Sequence, residues 1–266
     1  MGKFTFDHHY NKISNKNSKI IILIQQEILY NKITNLSNGE NNMKITFLGQ
    51  AGLLFEKDGF RIMIDPYLSD SASKINAKNY RRIAVDEKFF DINPDVMIFT
   101  HNHLDHYDPE TVNHFITEQS NILILAPKSV WEDIRKIGGN NNYVMFNRHT
   151  VWTERGITFT AVKAEHSDPA PIGVIIDDGE KKYYITGDTL YNEEIFADIP
   201  NDIYALFLPI NGVGNNMNMT DGTRFAKRIN AKKVVPIHIG MFDTITAEEF
   251  ECKNKVVTKI YEEIDL

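Results

Sequence analysis

The chain has 266 residues, 42% of them hydrophobic and 24% charged, which suffices for the core of one large domain without disulfides. Its single cysteine, Cys252, excludes an intrachain disulfide framework and fits a reducing compartment. The net charge of -7 and the pI of about 5.7 argue against a general nucleic-acid-binding protein, which would present a basic face.

The first 42 residues are rich in Asn, Lys and Ile, and they contain one predicted helix, Lys19–Ile33. Its apolar positions must be covered, either by the rest of the chain or by a second subunit. The apolar run Ile20–Ile24 is far shorter than a membrane span, and no small-residue cleavage site follows it. We therefore expect a cytoplasmic protein without a membrane partner, with an N-terminal extension over 1–42 and the main domain over 43–266.

The first part of the main domain reads as strands followed by a helix. Predicted strands are Lys44–Leu48, Leu53–Lys57, Phe60–Ile64, Val96–Thr100 and Ile122–Ala126. Asp58-Gly59 predicts a hairpin between the second and third of these strands. Asp108 followed by Pro109 predicts the start of a helix before the fifth strand.

The second part of the main domain also contains both predicted helices and predicted strands. A helix is predicted from Pro127 to about Ile137, another over Asp221–Ile229, and a last one from Thr246, where Glu249 completes a capping box and Cys252 would be helical. Predicted strands are Ile157–Ala164, Gly173–Asp177, Tyr183–Thr186, Tyr204–Leu208 and Lys233–Ile237. Strands interspersed with helices indicate an α/β protein with layered sheets.

The run His101-Asn102-His103-Leu104-Asp105-His106 follows an apolar strand. Alternate residues of an extended segment share a face, so His101 and His103 can address one ion. Asp105 and His106 lie where the chain turns toward the next helix and can address a second position. Imidazole and carboxylate ligands suit zinc, iron or manganese.

Further candidate ligands stand at or just after the ends of other predicted strands: His166, Asp188 and His238. Sites on layered sheets form at such strand ends. Asp65 also ends a strand. We interpret it as a partner that accepts a hydrogen bond from a metal-bound imidazole, with an Asx turn before Pro66 as the alternative.

These residues resemble the motifs of the metallo-β-lactamase superfamily, in the order Asp65, the His101–His106 run, His166, Asp188 and His238. The likeness covers about Met43 to Asp243. Within the superfamily the sequence is most similar to the L-ascorbate-6-phosphate lactonase-like branch. The supporting segments are Phe47–Gly52, Ile64–Leu68, Gly187–Thr189 and Val235–Gly240.

The resemblance implies an αββα sandwich, two mixed β-sheets flanked by helices, with a two-metal site at one edge. It assigns His101, His103 and His166 to one divalent ion and Asp105, His106 and His238 to the other, with Asp188 bridging; Mn²⁺ or Zn²⁺ is expected. Asp105 and Asp188 would then be the catalytic residues. A homo-oligomer is also suggested by the resemblance.

The expected function is hydrolysis by a metal-held hydroxide, in first place the opening of a sugar lactone that carries a phosphate. Candidate phosphate-binding residues, by type alone, are Arg148, His149 and Lys163, and Asn215 and Asn216 lie in a polar loop that can contribute. For each of them taken singly, an ordinary surface charge or a solvated loop is the favoured interpretation. Phosphodiester hydrolysis and a non-catalytic metal-binding scaffold are the alternatives. The expected partner is a small molecule, not nucleic acid.

Overall fold

A computed structural model describes residues 42–266. The helix predicted over Lys19–Ile33 lies outside the described residues. Within them, strands form two six-stranded sheets. The first sheet contains, in spatial and chain order, β1 (Lys44–Gly49), β2 (Gly52–Lys57), β3 (Phe60–Ile64), β4 (Val96–Ile98), β5 (Leu123–Ala126) and β6 (Asn142–Met145).

The second sheet is likewise built in chain order. Its strands are β7 (Val151–Glu154), β8 (Ile157–Lys163), β9 (Ile172–Asp177), β10 (Lys182–Ile185), β11 (Ile203–Pro209) and β12 (Lys233–Ile237). Both sheets are mixed: β1–β3 and β7–β10 pair antiparallel, whereas β3–β6 and β10–β12 pair parallel.

Helices lie between these strands in the chain. The α-helices are α1 (Ser71–Ile75), α2 (Pro109–Phe115), α3 (Lys128–Ile134) and α4 (Met219–Ile229). Short 3-10 helices occupy Glu87–Asp91, Arg135–Ile137, Glu193–Ala197 and Ala247–Glu249. Asp108 caps α2 by accepting hydrogen bonds from two backbone N–H groups, as predicted. Asn218 caps α4, which begins two residues before the predicted Asp221.

Three apolar clusters define the layers. The inner faces of both sheets share one cluster, which contains Phe55 and Ile98 of the first sheet and Phe159 and Phe207 of the second. The outer face of the first sheet packs against α2 and α3, and that of the second sheet packs against α4. The order is therefore helix, sheet, sheet, helix, and the predicted αββα sandwich is confirmed.

The predicted C-terminal helix is wrong. The capping box of Thr246 and Glu249 is present, but the helical turn ends at Glu249 and Phe250 is extended and fully buried. The following segment instead covers sheet edges: Val256 donates its N–H to Val234 of β12 (2.8 Å), and Ile264 donates to Ile45 of β1 (2.8 Å). Edge strands need such partners, so tertiary pairing overrides the local helix signal. Cys252 is accordingly not helical.

The sequence interpretation also missed five short elements: β6, β7, α1 and the 3-10 helices Glu87–Asp91 and Glu193–Ala197. β6 and β7 are the partly exposed strands at one edge of each sheet, so their hydrophobic pattern is weak. The five-residue α1 follows Asp70 without any side-chain cap. None of these changes the layer order, but α1 carries residues that line the cavity described below.

Candidate metal centre

The candidate ligands converge because the strands that precede them run in the same direction. In the first sheet β1 and β3 are both antiparallel to β2, and β4 is parallel to β3. Their carboxyl ends therefore meet at one edge, where Gln50, Asp65 and the His101 run follow. In the second sheet β8, β10 and β12 share a direction and lead to His166, Asp188 and His238.

Local geometry fixes the loop after β4. His106 donates its backbone N–H to the carbonyl of His103 (3.0 Å), which turns the chain and brings the side chains of both to the cluster. Asn102 points its backbone N–H at the carboxylate of Asp168 (2.9 Å). Asp168 also accepts from Ser129 Oγ (2.9 Å) and is buried, so it ties the histidine loop to the segment after His166.

Gly187 allows Asp188 to reach the cluster. Its φ is +61°, and a Cβ atom there would lie 2.7 Å from the carbonyl oxygen of Ile172 and 3.0 Å from Thr100 Cβ. Only glycine fits both the backbone conformation and the close approach to the first sheet.

The structure brings all seven predicted metal-binding residues together. Three groups have potential ligand atoms within 4.8 Å of one another: His101 with His103 and His166, His101 with His106 and Asp188, and Asp105 with His106 and His238. The first and third groups correspond to the two ligand sets that the resemblance implies. The second joins them through Asp188.

Asp188 lies between the two sets. Its carboxylate is 3.3 Å from His106 Nε2, 3.1 Å from His238 Nε2 and 3.9 Å from His166 Nε2. Asp105 approaches His238 Nε2 at 3.2 Å. His103 Nδ1 and His166 Nε2 are 3.0 Å apart. Such close nitrogens and oxygens need protons or a cation between them.

Two buried nitrogens test whether a cation fits. Among the described residues, His101 Nε2 and His106 Nε2 have no hydrogen-bond partner. A buried polar atom left without a partner costs roughly 1–3 kcal/mol. Five imidazoles and two carboxylates without a thiolate form a donor set for Zn²⁺, Mn²⁺ or iron. The residues present therefore fit divalent transition-metal ions.

The pKa shifts of the histidines also favour binding of a cation. Burial and the neighbouring His106 hold the pKa of His101 well below its usual value, so its ring is neutral and able to coordinate. Burial also lowers the pKa of His238, but the carboxylates of Asp188 and Asp105 outweigh it and raise that pKa to about 9. The Asp105 and Asp188 side of the cluster thus attracts positive charge.

Asp65 contacts the cluster through Nδ1 of His106. His106 Nδ1 donates to Asp65 Oδ2 (2.8 Å), and the backbone N–H of Thr100 donates to Asp65 Oδ1 (2.8 Å). A proton held on Nδ1 leaves His106 Nε2 free to face the other ligands. Asp65 has a φ of +44°, a left-handed conformation that costs about 1–3 kcal/mol and that the surrounding hydrogen bonds hold in place.

Three further residues contact the cluster, and the sequence interpretation gave none of them this role. Gln50 Nε2 donates to Asp105 Oδ2 (2.8 Å). Asn216 Nδ2 donates to Asp188 Oδ2 (2.8 Å), while its Oδ1 accepts from the N–H of Thr189. The amide of Asn211 lies 3.0 Å from His238 Nδ1. Their position after a strand or in a polar loop was the available signal, but Asn and Gln are common in ordinary turns.

A cavity of about 440 Å³ opens onto the cluster and includes His103, Asp105, Asp188 and His238 in its wall. The phosphate-binding residues suggested by type do not line it. Arg148 and His149 both contact Asp198, and Lys163 lies 3.3 Å from each of the carboxylates of Glu165 and Glu194. These three side chains already contact acidic groups away from the cavity, so none of them is placed to hold a substrate phosphate there, and the interpretation as ordinary surface residues is retained. Asn215 and Asn216 do line the cavity.

The family model for a beta-lactamase superfamily domain matches residues 60–239. The chain belongs to this superfamily, as the histidine and aspartate motifs indicated. A UPF0173 metal-dependent hydrolase of Carboxydothermus hydrogenoformans is 29% identical over 225 residues, which cover 80% of this chain and 92% of the relative. The match does not separate branches of the superfamily, so the lactonase-like branch stays a prediction.

Solved structures share the fold. Igni18, a metallo hydrolase from Ignicoccus hospitalis, is 21% identical with a TM-score of 0.66, over 83% of this chain and 97% of its own. An isothiocyanate hydrolase from Delia radicum gut bacteria is 20% identical with a TM-score of 0.63, over 84% and 99% of the two chains. Within residues 42–266, no helix has the length and apolar character to cross a membrane.

Proposed function

We propose that this protein is a metal-dependent hydrolase whose centre is the cluster of five histidines and two aspartates. The observation that carries the proposal is the pair of buried nitrogens, His101 Nε2 and His106 Nε2, which make no hydrogen bond within the described residues, although His106 Nε2 lies 3.3 Å from the carboxylate of Asp188. Both nitrogens lie among other potential ligands. The relative from Carboxydothermus hydrogenoformans, described as a metal-dependent hydrolase, supports the same class.

The ligands divide between two ions. His101, His103 and His166 would hold one, and Asp105, His106 and His238 would hold the other, with the carboxylate of Asp188 between them. When bound, such ions lower the pKa of a coordinated water and polarise the bond to be cleaved. The number of ions and their identity, Mn²⁺ or Zn²⁺, belong to the proposal.

Asp105 is the residue best placed to move a proton. Its side chain is 19% exposed, lines the cavity, and is oriented by the amide of Gln50 (2.8 Å). A carboxylate held at the cavity wall can take a proton from the attacking water and pass it to the leaving oxygen. Asp188 is more buried and is fixed by Asn216, which suits charge neutralisation between the two sets of ligands.

The leading reaction is ring opening of a lactone, which the likeness to the lactonase-like branch supports. Water forms a bond from its oxygen to the carbonyl carbon while the ring C–O bond breaks. The ring oxygen takes one proton of that water, and the new carboxylic acid releases the other. The products are a hydroxy carboxylate and a proton, so no oxidant or second substrate is needed.

The test combines metal analysis with a substrate panel. We expect purified protein to carry up to two equivalents of Zn²⁺ or Mn²⁺ by elemental mass spectrometry, to lose activity with a chelator, and to hydrolyse lactones faster than bis(p-nitrophenyl) phosphate. His101→Ala should lose bound metal and activity. The matched control His114→Ala removes an exposed histidine outside the cluster and should lose neither.

Different outcomes separate the alternatives. Absence of bound metal under every reconstitution would overturn the proposal. Faster cleavage of the phosphodiester with the same metal would assign the protein to phosphodiesterases. Stoichiometric metal without turnover of any ester would indicate a metal-binding scaffold.

A further inference from the structure

The cavity wall carries acidic, neutral and apolar groups. Apart from histidines, its titratable residues are Asp105, Asp188 and Asp243, and none of the lysines or arginines in the described part of the chain lines it. Asp243 is fixed by the backbone N–H groups of Gly240 and Ile245, both at 2.9 Å. An anionic group of a substrate that lies away from the ligands would therefore meet another acid and no base.

Two basic residues near the cavity in the sequence, Lys74 and Arg81, have other contacts. Lys74, next to the lining residue Ile75, pairs with Glu110. Arg81 donates to the carbonyl of Tyr67 (2.6 Å) and to the hydroxyl of Tyr261. Lys78 lies between two lining asparagines in the chain but does not line the cavity itself. Among residues 42–266, no arginine lines the wall for the bidentate contact that phosphate recognition uses.

The cavity also has apolar lining residues that solvent reaches. Ile75 is 83% exposed and Val213 is 68% exposed, and both line the cavity with Phe242. Val213 stands between Gly212 and Gly214, whose φ values of +68° and +69° shape the loop. When an apolar part of a ligand covers large exposed side chains at the edge of a concave site, the burial of apolar surface contributes favourable binding free energy.

The remaining polar lining is rich in amides. Asn76, Asn79, Asn211 and Asn215 belong to the wall. Amide groups donate and accept hydrogen bonds without a charge, which suits ester or hydroxyl oxygens. Asn211 Oδ1 is buried and unpartnered among the described residues, so it leaves one acceptor unused at the cavity.

We propose that the substrate is an uncharged ester, in first place a lactone with an apolar substituent, and that phosphorylated lactones are poor substrates. The inference rests on the proposed hydrolase function and narrows its substrate class. A phosphate held away from the candidate ligands would lose its hydration without gaining a lysine or arginine partner among residues 42–266, and this costs binding energy. An alkyl substituent would instead cover Ile75, Val213 and Phe242.

Matched pairs of substrates test how a phosphate and an alkyl chain on the lactone change the rate of hydrolysis. Glucono-lactone and its 6-phosphate differ by the phosphate, and γ-nonalactone and γ-butyrolactone differ by an alkyl chain. With the metal-loaded enzyme we expect the phosphate to lower kcat/KM at least about tenfold and the alkyl chain to raise it about tenfold. Equal or faster turnover of the phosphorylated lactone would overturn the inference while the hydrolase function stands.

Variants of lining residues test which side chains cause the effects of the phosphate and of the alkyl chain on kcat/KM. Val213→Lys places a cation at the wall, and we expect it to raise kcat/KM for the 6-phosphate relative to glucono-lactone at least about fivefold. Val151→Lys is the matched control, since Val151 is 57% exposed and does not line the cavity.

Ile75→Ser should lower the preference for the alkyl lactone about threefold to tenfold. Lys78→Ala should leave the phosphate discrimination unchanged; a changed ratio would contradict the absence of a basic partner.

A binding measurement separates this inference from the proposed function. Lactams resist hydrolysis and resemble lactones in shape, so calorimetry with a γ-alkyl lactam and with its ω-phosphorylated analogue needs no turnover. Tighter binding of the uncharged lactam by at least about tenfold supports the inference even when no lactone is hydrolysed. Equal binding of both lactams, or binding of neither, overturns it.

Discussion

Asp188 contacts members of both predicted sets of ligands: His106, His166 and His238. Asp188→Asn keeps the shape but removes the charge that draws cations together. We expect at least about a 100-fold loss of kcat and loss of one equivalent of metal, measured by steady-state kinetics and elemental analysis. Full activity with unchanged metal content would show that the carboxylate is not part of the centre.

Asp65 contacts the cluster through His106 Nδ1, and we predict that it orients this imidazole and does not bind metal itself. Asp65→Asn should weaken metal affinity about 10–100-fold, less than loss of a ligand, because the imidazole stays in place but is less firmly oriented. A competition titration with a chelating dye measures this. An effect as large as that of Asp188→Asn would place Asp65 among the ligands.

Asp198 gives a pH-dependent contribution to stability. Arg148 donates two hydrogen bonds to its carboxylate, at 2.7 and 2.9 Å, and holds the pKa of Asp198 well below its usual value. A lowered folded-state pKa stabilises the protein above the unfolded-state value of about 3.9 and loses that effect as the pH falls through the folded-state pKa.

Replacing this carboxylate reveals the contribution. At pH 7 we expect Asp198→Asn to lower the free energy of unfolding by about 1–3 kcal/mol, because two charge-assisted hydrogen bonds are weakened. Urea unfolding of both proteins from pH 7 down to pH 3 should show the difference shrinking below about pH 4. A difference that stays constant with pH would contradict the role of the charge.

Among the secondary-structure elements, the end of β10 depends on Gly187. Gly187→Ala combines a left-handed backbone with a Cβ 2.7 Å from the carbonyl oxygen of Ile172, whereas Gly179→Ala has a φ of +88° with nothing within 4 Å. We expect the control to cost about 1 kcal/mol and Gly187→Ala to cost more and to reduce activity. Thermal unfolding and kinetics of both variants measure this; equal effects would remove the steric argument.

For the whole molecule, metal binding and folding should be linked. The ligands come from strands of both sheets, so unfolding separates them and releases the ions. We expect saturating Zn²⁺ or Mn²⁺ to raise the Tm of chelator-treated protein. At a free metal concentration of 100 times Kd, the free energy of unfolding should rise by about 2.7 kcal/mol. In His101→Ala the rise should be smaller; the same rise in both proteins would place the binding elsewhere.

Local signals in the sequence were enough to predict the class of the fold, the order of most strands and the seven residues that the structure brings together as candidate ligands. Continuous apolar runs and the Asp58-Gly59 turn are local signals, and the structure confirms the hairpin at that turn. The histidine run concentrates four potential ligands within six residues, a pattern that is typical of metal sites. His166, Asp188 and His238 were predicted because they stand at or near strand ends, where the sheet topology brings chain ends together.

Only the tertiary structure decided the surroundings of the centre. Gln50, Asn211 and Asn216 reach the ligands from loops that are distant in the chain, so their contacts depend on how the two sheets pack. The C-terminal segment pairs with β1 and β12 instead of forming the helix that its capping box favoured, because exposed sheet edges offered more hydrogen bonds. The charge of the cavity wall could not be predicted from the sequence either. Arg148 contacts Asp198 and Lys163 contacts Glu194, and only the fold brings these distant residues together.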